Sequence, residues 1–285
     1  MATITTREVL PGDLQKCLHI EAGAMPGGNL YLKDVIDLFR QTKGELTLGL
    51  ADGQSAGIGK LTVLFDGSAW LETLRVHPDY QRRGVAAKIY ESFRRQWEAF
   101  GCPAVRMYTG VNNVASAALA EKNGLHRGME YRGMSLSLAG KAPRNAPLLK
   151  PAADGEEAWN ILNTMERSFG DHLSINHTFY APNRATCGGF ANMGWIYGDE
   201  KASLVMGARF QPRKALYIAA IGGDRQKALD FAMEEALRRG AEKLTAHFPN
   251  TDELTEAFYA ANGFTRDKSD DVVMETAELC EARKA

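Results

Sequence analysis

The 285-residue chain has only four cysteines, Cys17, Cys102, Cys187 and Cys280, and no two of them form a CxxC pair. Their scatter excludes a disulfide framework and a cysteine-built zinc site, and it fits reduced thiols. Long hydrophobic runs are missing too. No apolar stretch reaches the ~18 residues of a membrane helix, and the N-terminus shows no apolar signal segment, so a cytoplasmic protein without membrane contact is expected. Charge of one sign is also absent: 34 Lys and Arg stand against 35 Asp and Glu, for a net charge of −1. That balance gives no electrostatic case for nucleic acid as a partner. The length exceeds the ~150 residues typical of one domain, so two domains are expected.

What the chain does have is a basic glycine loop, Gln81-Arg82-Arg83-Gly84-Val85-Ala86. An apolar strand-like run, Trp70–Val76, precedes it, and a helix-like run from Val85 to Ala99 follows. The first N–H groups of a helix lack intrahelical acceptors, and the helix dipole adds partial positive charge there. Gly84 permits the backbone to turn and approach closely, while Arg82 and Arg83 add charge suited to a pyrophosphate. The pattern reads as a phosphate cradle.

The run Leu74-Arg75-Val76-His77-Pro78-Asp79-Tyr80, followed by Gln81-x-x-Gly84-x-Ala86, resembles the acetyl-CoA signature of the GNAT acyltransferase superfamily. Asn113-Val114-Ala115-Ser116, with Leu119 and Lys122-Asn123-Gly124-Leu125, resembles that superfamily's second motif. The match covers roughly residues 3–138. The alternation of strands and helices along this half agrees with it. Strands are expected at 3–9, 46–51, 58–65, 68–76, 104–111 and 130–138, with helices at 14–22, 31–41, 85–99 and 114–123.

Residues 139–151 carry three prolines and read as a linker. Beyond it an internal repeat emerges, because Gly84, Gly101 and Gly124 align without gaps to Gly223, Gly240 and Gly263. The expected architecture is therefore α/β (α+β): two tandem GNAT-like domains, each a twisted, mixed, mostly antiparallel sheet flanked by helices. Residues 1–140 would form the acetyl-CoA-binding catalytic domain, 141–151 the linker, and 152–285 a degenerate copy. In the copy the segment matching His77–Arg83 is largely missing, and Asp224 stands at the helix start, where a carboxylate would occupy the anion site.

The resemblance implies acetyl transfer from acetyl-CoA, as cosubstrate and with no metal, to a primary amine of a small molecule or protein. A non-catalytic acetyl-CoA sensor is the alternative. Backbone groups around Leu74, Arg75 and Val76 would meet the pantetheine, and Gln81, Arg82, Arg83, Gly84, Val85, Ala86 and Ala87 the pyrophosphate. Asn113 and Ser116 would complete the cofactor site, Asn113 also serving as a helix cap. An amine of pKa near ~10 must lose a proton before it attacks, and Glu72 is the candidate base. The second-motif helix usually carries a tyrosine as the acid, but this chain has Ala120 there, so Tyr108 and Tyr131 come into consideration. Tyr259 takes the matching place in the second half and is expected to pack. Glu21 and Tyr31 flank the Met25–Asn29 break and are expected on helix surfaces. His77 is expected to cap a strand end, and His172 and His177 to sit in a polar loop. A monomer or a homodimer would both be compatible with two fused GNAT folds.

Overall fold

The computed structural model describes residues 2–28, 30–143, 148–165 and 168–276. Asn29, Cys280 and residues 144–147 of the expected linker lie outside them. In chain order the elements begin with β1 (Ile4–Glu8), α1 (Leu14–Ala24), α2 (Leu32–Gln41), β2 (Leu46–Ala51), β3 (Gln54–Val63) and β4 (Ala69–Val76). Then come α3 (Val85–Ala99), β5 (Val105–Gly110), α4 (Val114–Lys122) and β6 (His126–Ser137). The second half contains β7 (Lys150–Pro151), α5 (Gly155–Thr164), β8 (Leu173–Ile175), β9 (Thr178–Tyr180), α6 (Arg184–Asn192), β10 (Ile196–Gly198) and β11 (Ala202–Gly207). It closes with β12 (Ala215–Gly223), α7 (Arg225–Arg238), β13 (Lys243–Pro249), α8 (Glu253–Ala261), β14 (Thr265–Arg266) and β15 (Asp271–Glu275).

Contacts divide the chain into two compact units. The first holds Met1–Met107, Ala118–His126 and the stretch from Glu275; the second holds Tyr108–Ala117 and Arg127–Met274. In the first unit the strands run in the order β1-β2-β3-β4-β5, antiparallel except for the parallel β4–β5 pair. Helix α2 buries Leu32, Val35, Ile36 and Phe39, the spacing of a single helical stripe. Helix α3 buries Val85, Ile89 and Phe93 one turn apart. It lies so close to β3 that a Cβ on Gly57 would come within 2.8 Å of Val85, and one on Gly59 within 2.6 Å of Phe93. Glycine at these two places lets the helix seat on the sheet, which sets where its N-terminus stands.

The second unit has the strand order β15-β6-β13-β12-β11-β10-β7, with β14 also on β6 and β8–β9 as a separate hairpin. Its core gathers Leu204, Leu216, Ile218, Leu229 and Leu244. The strand expected to close the N-terminal half, β6, pairs here instead with β13, from Tyr131↔Pro249 to Ser137↔Lys243. Conversely, Thr276 from the chain's end donates its N–H to the Val105 carbonyl at 3.1 Å in the first unit. The two compact units thus each draw on both halves of the chain. An unpaired strand edge is costly, and here each half supplies backbone partners to the other half's unit.

Candidate active site at an open helix terminus

In the first unit, β4 is bulged. Lys60 faces Glu72 and Ile58 faces Arg75, so Gly59 alone opposes Thr73 and Leu74. Thr73, within the bulge, takes the left-handed conformation, φ +59°. On the other side of β4, the pairs with β5 are Ala69↔Val105 and Trp70↔Arg106, and pairing ends before the bulge. Four polar side chains gather at this point, Glu72, Thr62, Tyr31 and Thr73. Glu72, half-buried, accepts a 2.6 Å hydrogen bond from the Thr62 hydroxyl. The Tyr31 hydroxyl meets Thr73 Oγ1 at 2.8 Å. Burial pushes the Tyr31 phenol above its ordinary pKa, although Arg75 and the Thr73 bond pull the other way.

Glu21 is buried at 2% exposure and accepts from the backbone N–H groups of Tyr31 (3.2 Å) and Leu32 (3.1 Å). It is thus an anchor for the start of α2, where sequence reasoning expected a helix-surface carboxylate. Tyr31 is likewise turned to the bulge. Arg75 donates Nε to the Met25 sulfur at 2.9 Å and its guanidinium to the Leu74 carbonyl at 3.0 Å, which ties the α1–α2 connection to the strand.

From Val76 the chain passes through a short turn at Pro78–Tyr80 into the basic loop. Gln81 Nε2 donates to the Val76 carbonyl at 3.3 Å, Arg82 adopts φ +60°, and Arg83 lies over the Tyr80 ring at 5.5 Å. Gln81, Arg82, Arg83 and Gly84 are all exposed. Gly84 sits at φ +91°, and no side chain among the described residues caps α3 there. The first intrahelical bond is Lys88 N–H to the Gly84 carbonyl, at 3.0 Å. The N–H groups of Val85, Ala86 and Ala87 precede it, so a ring of donors and two guanidinium groups faces outward at one helix terminus. Val85 is buried, Ala86 half-buried and Ala87 exposed. His77 stacks on His19 at 4.8 Å, and both line a cleft of about 430 Å³ with Lys16, Ser55 and Tyr80.

Asn113, Ser116, Tyr108, Tyr131, His172 and His177 belong to the second unit. Asn113 Oδ1 accepts from Ser116 N–H at 3.2 Å, the geometry of a cap on α4. Tyr131 is buried at 1% exposure, and its hydroxyl accepts from the His172 N–H at 2.9 Å. Tyr108 stacks on His177 at 5.2 Å. Both tyrosines border Phe179 in an aromatic and histidine-rich interior. Its buried polar groups went unnoticed in the sequence, where His172 and His177 read as loop residues. His172 is 1% exposed, and His177 forms the turn between β8 and β9. Burial holds the His247 imidazole well below its ordinary pKa, with His177 adding to the effect.

Ala120 is fully buried in the first unit, and its side chain offers no polar atom. Tyr259 packs in the second unit between Phe248 and Phe264, and burial raises its phenol far above the ordinary range. The second unit keeps a bulge of the same kind. Val205 faces Ala220 and Met206 faces Ile218, leaving Ala219 over, while β12 pairs in parallel with β13 only at Ala215–Ile218. At the start of α7, however, the Asp224 carboxylate accepts the Lys227 N–H at 3.0 Å.

No curated protein sequence matches the chain. Residues 15–125 match the acetyltransferase (GNAT) family. Among solved structures, a GCN5-related N-acetyltransferase from Sphaerobacter thermophilus is similar over 96% of this chain and 95% of its own, at 14% identity and TM-score 0.65. A tandem GNAT protein from the clavulanic acid biosynthesis pathway is similar over 97% and 98%, at 15% identity and TM-score 0.62. A GCN5-related N-acetyltransferase from Kribbella flavida matches over 96% and 71%, at 12% identity and TM-score 0.54. Residues 15–125 thus resemble the GNAT acetyltransferase family, and the fold of the chain is similar to that of solved GNAT structures, a tandem GNAT protein among them.

Proposed function

We infer that the chain is an N-acetyltransferase whose first unit binds acetyl-CoA and moves its acetyl group to a primary amine. The observation that carries this reading is the uncapped start of α3, set directly after the bulged strand. The fit to a pyrophosphate is chemical: outward N–H groups at Val85–Ala87, exposed Arg82 and Arg83, and a residue without a side chain at Gly84. Leu74, Arg75 and Val76 would offer strand backbone to the pantetheine arm. Asn113 and Ser116 are proposed on the family resemblance alone, and the cap between them supplies no independent support. Acetyl-CoA, when bound, supplies an activated thioester.

The chain's own residues would then manage two protons. Glu72 takes the proton from the incoming ammonium, and its bond from Thr62 holds the carboxylate in one orientation. Tyr31 stands next to Glu72's neighbour Thr73 as a neutral phenol, able to give a proton to a departing thiolate. It takes the role that Ala120 cannot fill, in preference to Tyr108 and Tyr131, whose rings are engaged with His177 and His172. The sensor reading draws on one specific observation, the apolar Ala120. The two part on turnover. Release of free thiol from acetyl-CoA, followed across a panel of polyamines, amino acids, aminoglycosides and peptide N-termini, is expected with at least one acceptor. Tight acetyl-CoA binding with no release above the hydrolysis blank across that panel would favour the sensor.

A further inference from the structure

The second unit carries a cluster that acetyl transfer does not use. The β8–β9 hairpin turns on Asn176 and His177, both left-handed at φ +51° and +52°, as a two-residue type I′ turn requires. Histidine tolerates this conformation less readily than asparagine or glycine, so its presence at the second position calls for a reason. The turn sets His177 Nδ1 at 2.6 Å from Asp271 Oδ2 and its ring 4.5 Å from the ring of His247 on β13. His247 is 4% exposed; its Nδ1 meets Ser174 Oγ at 2.8 Å, while its Nε2 is buried without a hydrogen-bond partner among the described residues.

An orphaned buried ring nitrogen costs free energy unless something satisfies it. Here its surroundings are ligands. One donor atom each from His177, His247 and Asp271 lies within 4.8 Å of the other two. A tetrahedral ion with bonds of ~2.0–2.1 Å to imidazole separates its ligand atoms by about 3.4 Å, a contraction within the reach of side-chain rotation. We propose that His177, His247 and Asp271 form a binding site for one divalent transition-metal cation of the zinc or cobalt class.

The supporting contacts are those such a site needs. The Ser174 bond commits His247 Nδ1 and leaves Nε2 to the cation, while His177 Nδ1 and Asp271 Oδ2 already face each other and would both turn to it. Two imidazoles and a carboxylate suit zinc or cobalt far better than magnesium or calcium, which prefer oxygen alone. Three protein ligands leave a fourth position for water, and the His177 side chain, 36% exposed, provides the way in. The residues come from distant parts of the chain, so no ligand spacing marks them in the sequence.

The test uses the full chain, stripped with a chelator and titrated with Co²⁺ and then Zn²⁺. One equivalent of Co²⁺ should bind with the strong visible absorption of a four-coordinate ion, and Zn²⁺ should displace it. His177→Asn keeps a residue suited to the left-handed turn and removes a ligand; it should weaken binding by about 100-fold and abolish the absorption. Asp271→Asn should weaken it by at least about 10-fold. Circular dichroism on both variants separates loss of a ligand from loss of fold. His19→Gln is the control, because the stacked His19–His77 pair is a second place where a cation could be held. Loss of binding in His177→Asn with retention in His19→Gln supports the site. Retention in a folded His177→Asn, loss only in His19→Gln, or no binding by the unaltered chain overturns it.

Discussion

Two helix starts in this molecule follow a bulged strand, and they end in opposite chemistry. At α3 the residue is Gly84, left-handed and without a cap, and three N–H groups face outward beside Arg82 and Arg83. At α7 the residue is Asp224, whose carboxylate accepts from Lys227 and occupies the same electropositive place with the chain's own charge. The bulges themselves are alike: each frees one residue of the middle strand, Thr73 or Leu74 in one unit and Ala219 in the other. The loop before α3 has a turn and two arginines, whereas β12 runs directly through Gly223 into Asp224. The bulged strand therefore persists where the uncapped helix start does not. On the proposed function, a few residues at a helix terminus decide which copy would hold a phosphate, because helix-terminal donors serve either an internal carboxylate or an external anion.

The largest expected effect tests that contrast at α3. Gly84→Asp should weaken acetyl-CoA binding by about 100-fold or more, since like charges ~4 Å apart repel by about 4 kcal/mol near a protein surface. Calorimetry reads the binding and thermal denaturation checks the fold, which φ +91° will also burden. The mirror substitution at Gly223 is a poor control: a Cβ there would lie 2.2 Å from the Lys201 carbonyl oxygen. Asp224→Ala is the better one, and it should leave the acetyl-CoA affinity unchanged.

Next in size are the two residues beside the first bulge that are proposed to handle protons. Glu72→Gln should lower kcat by about 10³-fold with little change in acetyl-CoA affinity. Tyr31→Phe should cost about 10²-fold in kcat, with the pH profile losing its upper limb. If Tyr31→Phe were silent and Tyr108→Phe damaging, the acid would have to be sought in the second unit. Smaller still is the cap itself. Asp224→Ala should destabilise the second unit by about 1 kcal/mol, measured by denaturant unfolding, without creating a second acetyl-CoA site.

The smallest effect concerns pH. Lys227, on α7, holds the Asp199 carboxyl down at about 2, chiefly through a direct hydrogen bond. A depressed carboxylate stabilises the folded state above its unfolded pKa of ~3.9 and loses that contribution as pH falls through the folded value. Asp199→Asn should therefore lower stability at neutral pH, by less than about 1 kcal/mol given partial exposure. The difference between variant and parent should shrink between pH ~4 and pH ~2. A difference that grew on acidification would contradict the pairing.

The strand, loop and helix at residues 70–99 were legible in sequence because they are local. They are contiguous, and the expected helix over 85–99 is the observed α3. The repeat of Gly84, Gly101 and Gly124 likewise points to a second copy of the same fold. What escaped is what the chain brings together from afar. Strand β6 has the pattern of a closing strand, but nothing in its residues names β13 as partner. Glu21 looks like a surface carboxylate on a helix, and only the tertiary fold reveals that it anchors α2 ten residues away. Tyr31 gains significance from Thr73, and His177 from Asp271 and His247, across separations that no motif spans. The short elements β8, β9 and α6 also carry too little periodicity to be read, although they build the second unit's polar interior.

The most direct measurement is calorimetric titration of the unaltered chain with acetyl-CoA, read for the number of sites. The contrast between Gly84 and Asp224 predicts one site per chain. Two equivalent sites, or none, would contradict it.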